Sequence, residues 1–291
     1  MTQYVVVQGR QGILGRAYFE NASRSMPADQ ILAVDSRDLF NRMCMHETAD
    51  LASMLPLDRN LDVDWICAAG NVDPSQPSSH LLAVNANLPR YVLSGLCNLV
   101  EQGSIRSARF VTFGSVLEKR EALAAQNAYL ASKFSLWTDW QKRAANLPLT
   151  WHHIQLHTLY GRARAHPFMF LGQIETALRK REPFSMSAGR QLREYHHVQD
   201  VVANVASFLS NESGPSRSFD LSSGQPVSLG GLATDIFAAF DLLHLLHAGM
   251  LPEAKGEVFA REFERTPYLM ADRDPTSGII DWLRAMGVKG E

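Results

Sequence analysis

The first fifteen residues join a strand pattern to a glycine-rich turn, and this combination constrains the fold more than any other feature. Residues 4–7 read Tyr-Val-Val-Val, a run typical of a buried parallel strand, and Gly9, Gly12 and Gly15 follow at three-residue spacing. Glycines so placed allow a tight turn, a close approach to a pyrophosphate and close packing of a helix on the strand. A helix beginning near Gly12 would direct unpaired N–H groups at that pyrophosphate. The pattern predicts a dinucleotide site built from backbone, although the spacing alone also fits an ordinary glycine turn.

The second predicted strand, residues 31–34, ends in an acidic residue. Asp35 stands at the distance from the glycine turn at which a carboxylate meets the adenosine ribose, and it favours NAD. Arg37 and Arg10 provide guanidinium groups that suit the 2′-phosphate of NADP. The choice between NAD and NADP therefore stays open. The residues predicted to contact the cofactor from the turn and the strand ends are Gly9, Gln11, Gly12, Ile13, Leu14, Gly15, Asp35, Ser36, Arg37, Ala68, Ala69 and Gly70.

Tyr129 and Lys133 are four residues apart within a predicted helix. Residues at this spacing share one helix face, so the ammonium is predicted to lower the pKa of the phenol from its usual value of about 10. A phenol tuned in this way can donate or accept a proton at neutral pH. The spacing by itself also occurs in any amphipathic helix. Downstream of the glycine turn, however, it indicates hydride transfer.

Strand and helix patterns alternate along the chain. After the second strand the predicted elements are a strand over 63–70, a helix over 80–102, a strand over 109–113 that ends at Gly114-Ser115, a helix from Tyr129 to about 146, and a strand over 149–156. Such alternation predicts a parallel sheet with helices on both faces, which is an α/β fold. With 291 residues and 46% hydrophobic content, the chain can form one large domain or a domain with a smaller cap.

Composition excludes several functional classes. The 28 basic and 30 acidic residues nearly balance, and the basic run at 179–181 is interpreted as the solvated end of a helix, so no nucleic-acid partner is expected. No segment reaches about 18 uninterrupted apolar residues, and no membrane partner is expected. Cys44, Cys67 and Cys97 are widely spaced, are predicted to be buried, and fit a reducing compartment. The protein is expected to be cytoplasmic.

The order of these motifs resembles that of the extended short-chain dehydrogenase/reductases that act on nucleotide sugars, and the resemblance covers nearly the whole chain. The matching segments are Gly9/Gly12/Gly15, Ser115, Tyr129/Lys133, Tyr160-Gly161, residues 193–200 and residues 219–224. The resemblance implies a Rossmann-type doubly wound parallel sheet formed by residues 1–161 and 197–224. It implies a smaller substrate-binding domain formed by residues 162–196 and 225–291. The helices over 80–102 and 129–146 resemble those of a four-helix dimer interface, so a homodimer is expected.

The resemblance also implies roles for individual residues. Tyr129 would be the general acid/base, Lys133 would hold the nicotinamide ribose, and Ser115 would polarise the substrate oxygen. Two placed O–H donors suit the negative charge that develops on a carbonyl receiving hydride. The remaining residues implied by the resemblance are Asn85 in the helix beside the cofactor, for which a plain helix-surface position fits equally well, and Arg193, Gln191 and His166 at a nucleotide-sugar substrate.

Departures from the family pattern narrow the predicted reaction. The chain has Phe113-Gly114 where the family often has paired serines, and Val116-Leu117 where a dehydratase would need an Asp-Glu pair. Glu118 and Glu121 are the nearest carboxylates, and they are interpreted as exposed charges. The predicted reaction is therefore NAD(P)-dependent reduction of a nucleotide-linked keto-sugar, at C4 of a 4-keto-6-deoxysugar. The alternatives are a 4-epimerase with tightly bound NAD and a non-catalytic cofactor-binding protein.

The histidines are not predicted to form a metal site. His152, His153 and His157 would lie on two faces of a strand, with no carboxylate between them. His244 and His247 fall in residues 232–251, which are predicted to form one amphipathic helix that packs through Leu and Phe.

Overall fold

The computed structural model of the protein describes residues 2–45, 47, 49–253, 264–269 and 273–290. The chain forms two compact units. Unit 1 comprises residues 1–156 and 209–220, and unit 2 comprises residues 157–208 and 221–291. These bounds differ from the predicted domains at 157–161, 197–208 and 221–224. The assignment of cofactor and substrate roles to two domains stays a prediction, and part of the predicted segment 225–291 lies outside the described residues.

Strands and helices alternate through most of unit 1. The strands are β1 (Thr2–Gln8), β2 (Ile31–Val34), β3 (Leu61–Cys67), β4 (Ser107–Ser115), β5 (Thr150–Leu156), β6 (Thr158–Tyr160), β7 (Phe184–Met186), β8 (Leu192–Arg193), β9 (Tyr195–His197), β10 (Ser218–Leu221), β11 (Val227–Ser228) and β12 (Leu246–Ala248). The helices are α1 (Ile13–Ser25), α2 (Ser36–Cys44), α3 (Ser78–Leu82), α4 (Leu88–Glu101), α5 (Glu121–Ala124), α6 (Ala128–Arg143), α7 (Phe170–Lys180), α8 (Val198–Asn211), α9 (Leu229–Ala239) and α10 (Pro275–Ala285). A π-helical turn, Ala83–Asn87, joins α3 to α4.

Unit 1 is built on a six-stranded sheet with the order β10-β5-β4-β3-β1-β2. The adjacent pairs among strands β1 to β5 all run parallel. The chain leaves β1 for β2 on one side and returns to β3 on the other, so the strand order reverses at β1. Ligands of open α/β sheets bind outside the carboxyl ends of the strands at such a reversal. The predicted α/β Rossmann-type sheet is therefore confirmed, and the glycine turn lies at its switch point.

Each unit has its own apolar core. Trp65, Phe110 and Trp151 are fully buried in unit 1. The described residues of unit 2 form three two-stranded sheets, β11-β8, β12-β7 and β6-β9, and bury Tyr160 and Phe237 against α7, α9 and α10. Helix ends are set by local side chains, as in α6, where the Asn127 carboxamide oxygen accepts a hydrogen bond from the Leu130 N–H group at 3.1 Å.

Two predictions about local structure are wrong. The predicted helix over 232–251 ends at Ala239, and His244 lies in a 3₁₀ turn while His247 lies in β12. The backbone turns at Asp241, which has a positive φ of 59° that a continuing helix does not allow. Cys44, predicted to be buried, is exposed at the end of α2. Within the described part of the chain, none of the helices is both long and apolar enough to cross a membrane.

Candidate active site

The glycine turn after β1 brings three backbone segments together. Gly9 has a φ of +87°, and a methyl group on it would lie 2.6 Å from the Ala69 nitrogen at the end of β3. A methyl group on Gly15 would lie 2.2 Å from the Gly9 carbonyl oxygen. Because a side-chain carbon cannot approach backbone so closely, glycine is required at both positions. The turn closes through a hydrogen bond from the Gly12 N–H group to the Gly9 carbonyl oxygen at 3.0 Å.

A cavity of about 360 Å³ lies against this turn. The residues that line this glycine cavity are Gly9, Arg10, Gln11, Gly12, Ala33, Val34, Asp35, Ser36, Arg37, Ala68, Ala69, Gly70 and Val84. Helix α1 begins at the cavity, and among the described residues no side chain caps its first N–H groups and no acid stands in its first turn. Uncapped N–H groups and the positive end of a helix attract an anion. The cavity therefore fits the pyrophosphate of a dinucleotide.

Most of the predicted cofactor residues line the glycine cavity, and five do not. Those outside its lining are Ile13, Leu14, Gly15, Asn85 and Lys133. Leu14 and Gly15 are buried under the turn. Ala33, Val34 and Val84 line the cavity but were not predicted to contact the cofactor. The sequence could have indicated Ala33 and Val34, because these residues directly precede Asp35 at the end of β2 and therefore lie near the same ligand.

Acidic and basic side chains both line the glycine cavity. The Asp35 carboxylate accepts a hydrogen bond from the Arg37 N–H group at 2.8 Å and so caps α2. The Arg10 guanidinium lies 4.0 Å from the centre of the Phe19 ring, a cation–π contact. Both Asp35 and Arg37 are exposed. The structure thus retains the features that favour NAD and those that favour NADP.

Gly70 links the glycine cavity to two buried polar side chains. A methyl group on Gly70 would lie 3.3 Å from the Asn85 Oδ1 atom and 3.7 Å from the Lys133 Nζ atom. Asn85 is 1% exposed, which excludes the helix-surface position. Its carboxamide exchanges two 2.8 Å hydrogen bonds with the Asn71 backbone and donates to the Ser132 hydroxyl at 3.0 Å. Asn85 lies in the π-helical turn, a distortion common at functional sites.

Lys133 joins helix α6 to the end of strand β4. Its ammonium is buried and donates a hydrogen bond to the Phe113 carbonyl oxygen at 2.8 Å. The ammonium lies 5.9 Å from the centre of the Tyr129 ring, one helical turn earlier. Ser115 ends β4, and its hydroxyl oxygen accepts a hydrogen bond from the Leu117 N–H group at 3.3 Å. The Ser115 hydroxyl proton can therefore be donated to another oxygen.

Glu118 is buried, which corrects the prediction that it is an exposed charge. The side chain is 0% exposed, whereas Glu121 is exposed as predicted. The Glu118 carboxylate accepts hydrogen bonds from Ser115, His153 and Gln155. Burial of a charged group is costly unless it is paired, so these partners explain its position. We refer to Ser115, Glu118, Tyr129 and Lys133 together as the Ser115 corner.

The charges of the Ser115 corner differ from those expected. The pKa of Tyr129 is raised, first by burial and then by the negative charge of Glu118, so the predicted lowering by Lys133 does not hold in the structure. Burial lowers the pKa of Lys133, and the charge of Glu118 opposes that effect. A phenol with a raised pKa is protonated at neutral pH. Tyr129 is therefore set up as a proton donor.

The three residues predicted to bind substrate all lie in unit 2. Arg193 ends β8, and its guanidinium donates a hydrogen bond to the Leu192 carbonyl oxygen at 2.8 Å. Gln191 is 8% exposed, and its Oε1 atom is buried without a hydrogen bond from the described residues. His166 is exposed, and its ring centre lies 4.0 Å from that of Phe168. Their roles stay predictions.

One group of side chains in unit 2 has donor atoms suited to a metal ion. His157, Glu194 and His196 are buried, and their ligand atoms all lie within 4.8 Å of one another. Hydrogen bonds already account for the Glu194 carboxylate, which accepts from Ser222 at 2.9 Å, from Ser223 at 2.8 Å and from His196 at 3.0 Å. Burial acts to raise the pKa of Glu194, but its hydrogen bond to His196, the charge of His157 and its bonds to the two serines outweigh burial and lower the pKa to about 2.

No protein-family model matches the chain, and no curated protein matches it. Solved structures do resemble it over nearly the whole length of both chains. MoeE5, in complex with UDP-glucuronic acid and NAD, is 17% identical with a TM-score of 0.69, and the match covers 97% of this chain and 99% of that one. The UDP-N-acetylglucosamine 4-epimerase from Methanobrevibacter ruminantium is 12% identical with a TM-score of 0.72, with coverage of 98% and 99%.

A third similar structure is an NAD-dependent NDP-hexosamine 5,6-dehydratase, TunA. It is 15% identical with a TM-score of 0.70, and the match covers 99% of this chain and 98% of that one. At these identities the comparisons establish the fold. The chain has the fold of nucleotide-sugar epimerases and dehydratases, the group of enzymes that its sequence motifs resemble.

Proposed function

We propose that this protein is an NAD(P)-dependent oxidoreductase of the extended short-chain dehydrogenase/reductase type that reduces a nucleotide-linked keto-sugar. The observation that carries the proposal is the position of Lys133. Its buried ammonium bonds the end of β4 two residues before Ser115, stands one helical turn from Tyr129, and lies beside Gly70 of the glycine cavity. A dinucleotide in that cavity would thus extend toward the residues suited to proton transfer.

The glycine cavity would hold the cofactor through backbone. The N–H groups at the start of α1 would bind the pyrophosphate, and Asp35 or Arg37 would meet the adenosine ribose or its phosphate. Lys133 would hold the nicotinamide ribose, with Asn85 fixing the neighbouring Asn71 backbone. The bound cofactor supplies the hydride. The MoeE5 structure is a complex with NAD and TunA is NAD-dependent, which favours the same class of ligand here.

The Ser115 corner would perform the proton transfer. A ketone oxygen gains negative charge as its carbon accepts hydride, and two O–H donors can stabilise that charge. Ser115 would donate one hydrogen bond from a hydroxyl that already accepts from Leu117. Tyr129 would donate the second and pass its proton to the oxygen, which gives the alcohol. The ketone carbon would be C4 of a 4-keto-6-deoxysugar.

Substrate recognition would come from unit 2. A diphosphate suits the forked guanidinium of Arg193, and the buried Oε1 atom of Gln191 suits an N–H or O–H donor. His166 would contact the sugar. MoeE5 in complex with UDP-glucuronic acid and the Methanobrevibacter epimerase in complex with UDP-N-acetylmuramic acid favour a nucleotide-sugar ligand. We also propose that the protein is a homodimer in the cytoplasm.

A 4-epimerase with tightly bound NAD is the second candidate. Epimerases among the structures with this fold favour it. The raised pKa of Tyr129 favours the reductase, because reduction begins with a protonated phenol whereas epimerisation begins by removing a proton from a hydroxyl. The two also differ in how the cofactor leaves. A reductase releases oxidised cofactor in each turnover, whereas an epimerase retains it.

Thermal unfolding in the presence of ligands tests the proposal. The ligands are NADH, NADPH and the diphosphates UDP, GDP, CDP and dTDP, because a ligand at 100 times its Kd adds about 2.7 kcal/mol of stability. We expect stabilisation by one nicotinamide cofactor and by one diphosphate. A response to cofactor alone would replace the nucleotide sugar with a small carbonyl compound. No response to either cofactor would contradict the proposal, and cofactor retained through purification would favour the epimerase.

A further inference from the structure

A buried carboxylate lies directly behind Ser115. The Glu118 Oε2 atom accepts a hydrogen bond from the Ser115 N–H group at 3.0 Å. Its Oε1 atom lies 2.9 Å from the His153 Nε2 atom and 2.9 Å from the Gln155 Nε2 atom, both on β5. All three partners are side chains or backbone of unit 1. Since the carboxylate is fully buried and fully bonded, it cannot contact a substrate, and its effect must pass through its neighbours.

Gly114 provides the space that Glu118 occupies. A methyl group on Gly114 would lie 2.3 Å and 2.5 Å from the two Glu118 carboxylate oxygens and 2.6 Å from the His153 Nε2 atom. Any other residue at 114 would collide with both side chains. The buried position of the Glu118 carboxylate therefore depends on the absence of a side chain at Gly114, and we treat the two residues as one structural feature.

The hydrogen bonds around His153 determine that it donates a proton to Glu118. The Trp151 indole N–H group donates to the Thr112 Oγ1 atom at 2.9 Å, and that atom lies 2.7 Å from His153 Nδ1. The Thr112 hydroxyl can then donate to Nδ1, so a neutral His153 carries its proton on Nε2 and donates it to Glu118. Gln155 and the Ser115 backbone add two more donors. Three donors aimed at one carboxylate fit an ionised acceptor.

We propose that Glu118 is a positioning residue, whose ionised carboxylate fixes the Ser115 backbone and so aims the Ser115 hydroxyl at the substrate oxygen. The inference rests on the proposed function for the role of Ser115. The negative charge of the same carboxylate adds to burial in raising the pKa of Tyr129, and it opposes the burial that lowers the pKa of Lys133. Glu118 thereby adds to the effects that keep Tyr129 protonated and counteracts the effect of burial on the Lys133 ammonium. Both effects favour reduction over oxidation.

The substitution Glu118→Gln tests the charge without enzyme turnover. The titratable groups around Tyr129 and Glu118 include Lys133 on the same helix as Tyr129, His153 on β5 and Cys67 on β3. The phenol of Tyr129 is followed by the ultraviolet absorbance of phenolate, as the difference between each protein and its counterpart carrying Tyr129→Phe. We expect Tyr129 to titrate at lower pH in Glu118→Gln, and at its original pH in the control Glu121→Gln.

A second measurement tests the aim of the Ser115 hydroxyl. Reduction of a nucleotide-linked 4-keto-6-deoxysugar is followed by loss of nicotinamide absorbance. We expect Glu118→Gln to lower kcat on the order of 10²-fold, the effect of a small misplacement of a reacting group, with the Kd for NADH unchanged. The alkaline limb of its kcat profile should move to lower pH with Tyr129. Glu121→Gln should leave both unchanged.

The outcomes separate this inference from the proposed function. If Tyr129 titrates identically in Glu118→Gln and Glu121→Gln, the inference is overturned whether or not the protein reduces the sugar. If the titration shifts but no sugar is reduced, the charge role stands and the proposed reaction fails. An active Glu118→Gln with unchanged kcat and an unshifted pH limb would also overturn it.

If the Glu118→Gln protein does not fold, a pair of compensating substitutions provides a second test. Gly114→Ala alone should displace the carboxylate and lower the unfolding temperature strongly. Gly114→Ala combined with Glu118→Ala should destabilise the protein by less than the sum of the two single substitutions, because the carboxylate that the methyl group would overlap is gone and only the His153 ring must still move. The double variant should fold and should show the same lowered titration pH of Tyr129. If the two substitutions act independently on stability, Gly114 and Glu118 are not one feature and the inference is wrong.

Discussion

The glycine cavity and the Ser115 corner lie in the same unit but are built from different materials. The cavity is made of backbone, held open by close approaches at Gly9 and Gly15 and ending at an uncapped helix. The corner is made of side chains, and its bonds join residues as far apart as Glu118 and His153. Backbone provides fixed dipoles for an anion that does not react. Titratable side chains provide groups whose charge can change during a reaction.

This difference predicts that chemistry and cofactor binding can be separated by mutation. Tyr129→Phe removes the proton donor and leaves the glycine cavity intact. Turnover should fall by about 10²–10⁴-fold, the contribution of general acid catalysis, while the Kd for NADH stays the same. Kinetics and NADH fluorescence measure the two quantities, with Tyr91→Phe on α4 as the control. Residual turnover above about a hundredth of normal would show that another group donates the proton.

His152 and His153 are adjacent on β5, but only His153 contacts Glu118 of the Ser115 corner. His152 therefore provides a prediction about a buried titratable group outside that corner. Burial and the charges of Arg109 and Arg217 lower the pKa of His152 to about 4, and its Nδ1 atom accepts a hydrogen bond from the Arg217 N–H group at 3.3 Å. The unfolded chain, with a histidine pKa of about 6.5, binds this proton first. Folding stability from this residue is therefore complete above pH 6.5 and is lost as pH falls toward 4.

The expected loss from His152 is up to about 3 kcal/mol. Urea unfolding of the protein and of His152→Gln between pH 7 and pH 4 measures it. The variant should show a flatter dependence on pH, since glutamine keeps an acceptor and does not titrate. His80→Gln on α3 is the control and should retain the steep dependence. Equal slopes for all three proteins would mean that His152 is not the source of acid sensitivity.

A substitution in the glycine turn can disrupt the cavity and leave the residues of the Ser115 corner unchanged. Gly15→Ala should destabilise the protein by about 1–3 kcal/mol, because its methyl group would overlap the Gly9 carbonyl oxygen. At Gly12 the methyl group would lie at an ordinary 3.5 Å from the same oxygen, and Gly12→Ala should cost less than about 1 kcal/mol. Urea unfolding compares the two. A larger loss for Gly12→Ala would contradict the geometry of the turn.

The smallest expected effect concerns the choice of cofactor. Asp35→Ala removes the cap of α2 and should destabilise the protein by about 0.5–2 kcal/mol. It should also weaken NADH binding more than NADPH binding, because Arg37 remains beside the ribose position. Asp38→Ala, an exposed neighbour paired with Arg42, is the control. Equal losses for both cofactors would remove Asp35 from the ribose site and leave it a helix cap.

The same difference explains what the sequence could predict. The glycine spacing, Asp35 and the Tyr129/Lys133 pair are local patterns, and local patterns identified the Rossmann-type sheet and most of the cavity lining. The burial of Glu118 depends on Gly114 and on His153 of a neighbouring strand. The periodicity of a sequence does not show which residues of two strands lie side by side, so this burial could not be predicted. The predicted helix over 232–251 failed for a related reason, since apolar residues continue past the turn at Asp241 into β12.

Transfer of a labelled hydride tests most directly whether this protein reduces a nucleotide-linked keto-sugar. The protein is mixed with NADH or NADPH carrying deuterium at both positions of the nicotinamide C4 atom, and with a nucleotide-linked 4-keto-6-deoxysugar. The mass of the sugar product is then measured by mass spectrometry. We expect one deuterium in the alcohol product and release of oxidised cofactor, and we expect neither with Tyr129→Phe. A protein that binds the cofactor but leaves the sugar unlabelled with both cofactors would contradict it.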